Sequence, residues 1–143
     1  MTKATRIPWR RNILWAVLLG SSFIIRTAVD WLAPSANSHT RAVVSTWIGI
    51  GILLLAGFWS ARRTDSFWTG AFTGMATTFA AAIFSIAGVA GLLVMYHDRQ
   101  TMMAIQASGG LEEAFVLPVM LVLPGVLLGA VGGFFGGVFQ RVR

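Results

Sequence analysis

Cysteine is absent from this chain, which excludes a disulfide framework, a cysteine-held metal and a thiol nucleophile. Acidic residues are scarce as well: Asp30, Asp65, Asp98, Glu112 and Glu113 are the whole set. Charged residues of both signs reach only 11%, whereas an ordinary soluble domain carries about a quarter, so the chain lacks the means to clothe a water-facing surface. The two histidines, His39 and His97, fall in polar stretches and stand in no recognisable elbow or triad order, which leaves a serine or threonine nucleophile without a base. A phosphate loop is missing too, because Gly132-Gly133 and Gly136-Gly137 are followed by Phe and Val rather than by Lys-Ser or Lys-Thr. A non-enzymatic protein without cofactor or metal is therefore expected.

What is present is apolar sequence: 56% of the 143 residues are hydrophobic. Apolar runs cover about 12–32, 42–60, 67–96 and 112–139, each long enough for a membrane-spanning helix, with a linker over 97–111. The expected fold is an all-α integral membrane protein, a single domain forming a four-transmembrane-helix bundle. Arg10-Arg11-Asn12-Ile13-Leu14 looks like a twin-arginine signal, but the run after it exceeds the 7–15 residues of a signal's apolar region and Arg26 interrupts it. The first run is thus expected to stay as a span.

The net charge of +6 would suggest nucleic acid as partner for a soluble chain. Here the basic residues flank apolar runs instead, so the expected partners are the lipid bilayer and another membrane protein or a second copy, with no nucleic acid. Four spans put Lys3, Arg6, Arg10, Arg11, Arg62, Arg63, Arg141 and Arg143 on one side, against Arg41 and Arg99 on the other. The positive-inside rule then gives N-in and C-in in a cell's inner membrane. Trp9, Trp15, Trp31, Trp47, Trp59 and Trp68 mostly mark span ends, as interfacial anchors do.

Local signals sharpen the boundaries. Pro34, Ser35, Asn37 and Ser38 make 33–41 a polar turn, and Thr64 or Asp65 is placed to cap the third helix. The third run is too long for the hydrocarbon layer and must tilt, kink at Gly88 or Gly91, or project from it. Met102, Met103 and Ile105 predict a short interfacial helix in the linker. Pro118 and Pro124 mark a bend in the fourth span, and Gly51 to Ala56 echoes Gly125 to Ala130 as a duplicated hairpin would.

The fourth span carries the clearest packing signal. Gly125, Gly129, Gly133 and Gly137 recur every four residues, with Gly132 and Gly136 beside them, and small residues at this spacing let two backbones approach closely. The third span offers a matching face in Gly70 and Gly74 and a hydroxyl line in Thr69, Thr73, Thr77 and Ser85. The candidate polar site is Arg26 and Asp30, four residues apart on the first span, with His97, Asp98, Glu112 and Glu113 on the same outer side. An arginine in a span costs about 2.5–3.5 kcal/mol at the helix centre, which makes Arg26 a functional candidate, although a side chain this near a span end can also reach the headgroups. Two functions follow as expectations. One is a protein acting through helix packing, as a homo-oligomer or an accessory subunit of a membrane complex. The other is a small oligomeric transporter or channel whose outer polar site surrounds Arg26 and Asp30.

Overall fold

In the computed structural model, residues 9–33, 38–64, 66–96, 98–107 and 110–141 are described, and every regular element among them is a helix. In chain order these are α1 (Trp9–Leu32), α2 (Ser38–Thr64), α3 (Phe67–Met95), α4 (Arg99–Ala107), α5 (Gly110–Met120) and α6 (Val122–Arg141). Four stretches, Asn12–Leu32, His39–Thr64, Trp68–Met95 and Gly110–Phe139, are long and apolar enough to cross a membrane. By length and composition the chain is a multi-pass membrane protein.

α3 is the axis of the bundle, packing on α1, α2, α5 and α6. It runs as one unbroken helix of 29 residues, roughly 44 Å at 1.5 Å per residue, so neither Gly88 nor Gly91 interrupts it. Gly88 serves contact instead: a β-carbon there would strike Ile24 of α1, while Gly91 faces open space. The interruption falls in the fourth span, where Leu121 separates α5 from α6. Pro118 and Pro124 have no N–H to donate to the carbonyls of Ala114 and Met120 four residues back, which weakens the ladder on both sides of Leu121. The amides of Leu121 and Gly125 still reach the carbonyls of Leu117 and Leu121, so the hydrogen-bond path continues across the interruption.

Two local expectations need correction. α2 already begins at Ser38, inside the stretch read as a polar turn, because Arg41 is held by the end of α1 and brings the first helical turn with it. The third helix is capped by neither Thr64 nor Asp65. Thr64 donates its hydroxyl to the Ser60 carbonyl and so closes α2, Asp65 lies outside the described residues, and Ser66 takes the cap position with extended backbone and no side-chain bond. The internal echo has no structural counterpart at its first glycine either: Gly125 lies on Thr78, whereas Gly51 meets nothing.

At one end of the bundle, Trp31, Val89 and Ile105 form a buried cluster with Phe115 and Leu92 against it. Trp31 is 5% exposed, so it is a core residue rather than an interfacial anchor. The linker helix α4 is amphipathic as expected, with Met102 and Met103 outward and Thr101, Ala104 and Ile105 buried. Ile105 therefore staples α4 onto the ends of α1 and α3.

Candidate functional site

The glycine face is used within one chain. A β-carbon on Gly70 would sit 2.7 Å from the carbonyl oxygen of Gly129 and 2.7 Å from Cα of Gly133, and one on Gly74 would lie 2.9 Å from Cα of Gly129. Such distances mean backbone on backbone. In lipid the hydrophobic effect does not hold spans together, so contact of this closeness is the main attraction available. The same helix meets α2 on its other side: Gly132 lies on the Leu54 carbonyl, Gly136 on that of Phe58, and Gly57 of α2 returns the contact to Gly129. Gly125 is occupied by Thr78, and Gly137 faces open space. α6 is thus wedged between α2 and α3 by glycines on two of its faces.

The hydroxyl line of α3 divides by partner. Thr78 donates back to the Gly74 carbonyl at 2.7 Å, and Thr73 shares a 2.7 Å hydrogen bond with Ser60 that ties α3 to α2. Thr77 and Ser85 are fully buried, and their hydroxyl oxygens have no hydrogen-bond partner in the protein. Ser45 of α2 is in the same position. A buried hydroxyl left without a partner is destabilising by about 1–3 kcal/mol, so these three positions call for some polar companion.

Arg26 and Asp30 come together as their spacing implies, with Nε to Oδ2 at 3.6 Å. A third group joins them that sequence reasoning had left in an outer loop. Arg41 Nη1 stands 3.8 Å from Asp30 Oδ1 and donates to the Ala33 carbonyl at 2.9 Å, placing a cation at the C-terminal end of α1 where the helix dipole favours one. The only signal for it was an arginine directly across the turn from Asp30. Both charge contacts are longer than hydrogen bonds, and Asp30 Oδ1 accepts none although it is buried. One carboxylate thus lies near two guanidinium groups.

The remaining acids do different work. Asp98 is the N-cap of α4: its Oδ1 accepts the Thr101 hydroxyl at 2.6 Å, and its Oδ2 accepts the amides of Gln100 and Thr101. The Thr101 hydroxyl bond, with the two amide bonds behind it, holds the Asp98 carboxyl below the usual carboxylate range. Glu112 is exposed in the first turn of α5, which opens with Gly110, a glycine at φ +75° where a side chain would be strained. His97 and the side chain of Glu113 lie outside the described residues. Among the described residues no three His, Asp or Glu side chains are grouped to hold a metal ion. Among the described contacts, Asp30 pairs with Arg26 and Arg41, and Asp98 with the first turn of α4.

Three cavities meet at Arg26. A small one of about 40 Å³ lies between α1, α3 and α5, with Arg26, Asp30, Thr27 and the unpartnered Ser85 on its wall. It is polar and large enough for a water molecule to serve those groups. A second, of about 300 Å³, is enclosed by all four spans and is apolar apart from Arg26, Ser45, Thr46 and Thr78. The third, of about 400 Å³, lies between α1 and α2 and again includes Arg26 and Ser45. Compared with family models, curated proteins and solved structures, the chain matches none. The geometry has to carry the functional reading.

The chamber of about 300 Å³ has a simple origin. α1 leans on α3 and more lightly on α2, and it makes no substantial contact with α5 or α6, so the space between them stays open. The break at Leu121 borders that space, since Leu117, Pro118, Leu121 and Pro124 all contribute to its wall. Sequence reasoning found Arg26 from its cost in a span. It missed Ser45, a small residue in an apolar run with no spacing signal of its own.

Proposed function

We propose that this chain is a small, non-enzymatic transporter or channel for an anionic solute, with its polar site at the junction of cavities around Arg26 and Asp30. The observation that carries this reading is the position of Arg26: 19% of its side chain is exposed, and it borders all three cavities. A guanidinium on the wall of each cavity supports an anion as the solute. Four spans are few for a solute path, which supports a homo-oligomer or a larger membrane complex as the working unit. The excess of basic residues at the termini and at Arg62 and Arg63 supports an inner-membrane orientation with both termini cytoplasmic, and so an outward-facing site.

The test is anion efflux from proteoliposomes loaded with chloride or gluconate. Flux above protein-free vesicles that falls at least tenfold in Arg26→Gln and is kept in Gly137→Leu supports the reading. Flux equal to empty vesicles, or indifferent to Arg26, removes it.

Assembly through helix packing is the second reading, and a specific observation favours it. The glycines of α6 other than Gly137 are taken up by α2 and α3, but α3 also carries Ala80, Ala87, Ala90 and Gly91 on its exposed surface. A second copy or a partner subunit would find its close approach there.

A further inference from the structure

The chamber of about 300 Å³ is walled mainly by hydrocarbon, and its four polar side chains differ in what they have left to offer. Arg26 is paired with Asp30, Thr46 donates to the Ala42 carbonyl and Thr78 to that of Gly74. Ser45 is buried, and its hydroxyl oxygen has no hydrogen-bond partner. It borders both this chamber and the one between α1 and α2, and a serine hydroxyl has three staggered positions about a single bond, so it can be turned to either. Water answers it poorly, because a buried water needs about two to four polar partners and the wall has one to spare. An empty chamber would forfeit dispersion contacts over its whole lining. A site of this kind, apolar with one polar group to fix orientation, suits a small hydrophobic ligand.

The chamber is open at the side. α2 makes no substantial contact with α5, and Thr46 of α2 and Pro124 near the start of α6 both line the chamber and are exposed. Trp47 and Leu123, next to them in sequence, are strongly exposed apolar side chains, so the opening faces the hydrocarbon layer. Ser45 stands four residues inside Arg41, a rise of about 6 Å, and the lining then runs on to Leu53, a further 12 Å or about that. The spare hydroxyl is thus at the shallow end of the chamber and the leucines at the deep end.

We propose that this chamber binds a neutral single-chain amphiphile whose head carries a hydroxyl, a medium-chain alcohol or its glycerol monoester. The head exchanges a hydrogen bond with Ser45, which gives that hydroxyl the partner it lacks, and the chain lies among Leu53, Leu121 and Leu128. A plain alkane would leave Ser45 unanswered, and a phosphate head would lose its hydration for one neutral bond. This inference uses Ser45 and the apolar wall rather than the charge of Arg26. It goes beyond the proposed transport, whose anion it confines to the two other cavities at Arg26.

The experiment is photolabelling of the full chain in nanodiscs of zwitterionic lipid, with a diazirine-bearing decanol as probe and mass spectrometry to locate the adduct. Labelling is expected at Leu53, Leu121 or Leu128, and excess decanol or monodecanoylglycerol should compete it away, the stronger of the two naming the natural head. Decane at equal concentration should compete several-fold less well. Ser45→Ala removes a buried hydroxyl without a partner, so it should fold at least as stably as the parent, yet need about fivefold more decanol for half competition, the order expected for one neutral hydrogen bond. Gly49→Leu fills the chamber: a β-carbon at Gly49 meets only Leu19, at an ordinary 3.5 Å, and the rest of the side chain takes the ligand's place. Competed labelling should vanish in it, and if that variant fails to fold, Ser45→Ala decides alone. Labelling confined to exposed Leu123 and Leu127 would give the chamber to the bilayer's own acyl chains and overturn the proposal. Equal competition by decane, stronger competition by decanoate, an unchanged half-competition point in Ser45→Ala, or full labelling in Gly49→Leu would each overturn it too. Anion efflux is read separately, so the failure of one reading is distinguished from the failure of the other.

Discussion

A β-carbon added to Gly129 would lie 2.7 Å from Cα of Gly74, so α3 and α6 touch through their backbones at this point. No side chain can be placed there without separating the helices. Gly129→Leu or Gly74→Leu should therefore abolish the folded monomer itself, well beyond the 1–3 kcal/mol typical of an overpacked core. Gly91→Leu, in open space, should leave monomer stability unchanged and alter only particle size, if size depends on that surface. Thermal unfolding and size-exclusion chromatography in detergent separate the two. Equal loss of folding in Gly91→Leu and Gly129→Leu would contradict the placement of α6.

Much of this contact could be read beforehand. The four-residue recurrence of Gly125, Gly129 and Gly133 and the small face at Gly70 and Gly74 identify two surfaces made for each other, because in lipid only small residues permit such approach. The Arg26 and Asp30 pair likewise follows from one helical turn of spacing. Period alone does not say which helix fills a given face. It left open whether α6 meets α3 or another copy, and it gave no hint of Gly57, whose neighbours Ala56 and Phe58 look like any span. Nor could it place Arg41 in the Asp30 site or Ser45 on a chamber wall, since both depend on where α2 lies against α1. Trp31 was misplaced for the same reason: a tryptophan at a span end is an anchor only if nothing covers it, and α4 does.

Asp98 makes the α4 end sensitive to acid. Its carboxyl in the folded chain titrates below the ordinary value near 3.8, so the folded state binds the proton less readily than the unfolded one. The stabilisation is complete above the unfolded value and is lost as pH falls through the lower, folded one. Hydrogen exchange at the amides of Gln100 and Thr101, corrected for intrinsic rate, should quicken several-fold between about pH 5 and pH 2.5 and not between pH 8 and pH 5. Asp98→Asn, which still accepts these bonds, should remove most of the pH dependence. A profile unchanged by Asp98→Asn would assign the acid response to another group.

Ile105 is 1% exposed between Trp31 and Val89, and it is the principal apolar side chain that α4 buries. Ile105→Ala should cost about 2–5 kcal/mol of local stability by leaving a cavity that a short helix cannot collapse to fill. Met103→Ala, 56% exposed one turn face away, should cost little. Limited proteolysis within 98–107 reads the difference directly, with faster cleavage in Ile105→Ala only. Similar cleavage of both variants would mean that α4 is held by its connections rather than by packing.

The orientation can be settled independently of any ligand. α1 packs on α2, α3 and α4 so that Trp31, Arg41 and Ile105 share one end of the bundle, while Arg62 and Arg63 are exposed at the other, the end toward which α6 runs. Retention of basic residues on the cytoplasmic side acts on the second group together with both termini. A periplasm-active phosphatase fused after Arg143 should be silent, and the same reporter inserted after Gln106 should be active. The opposite pattern would turn the bundle over. Arg26, Asp30 and Arg41 would then face the cytoplasm.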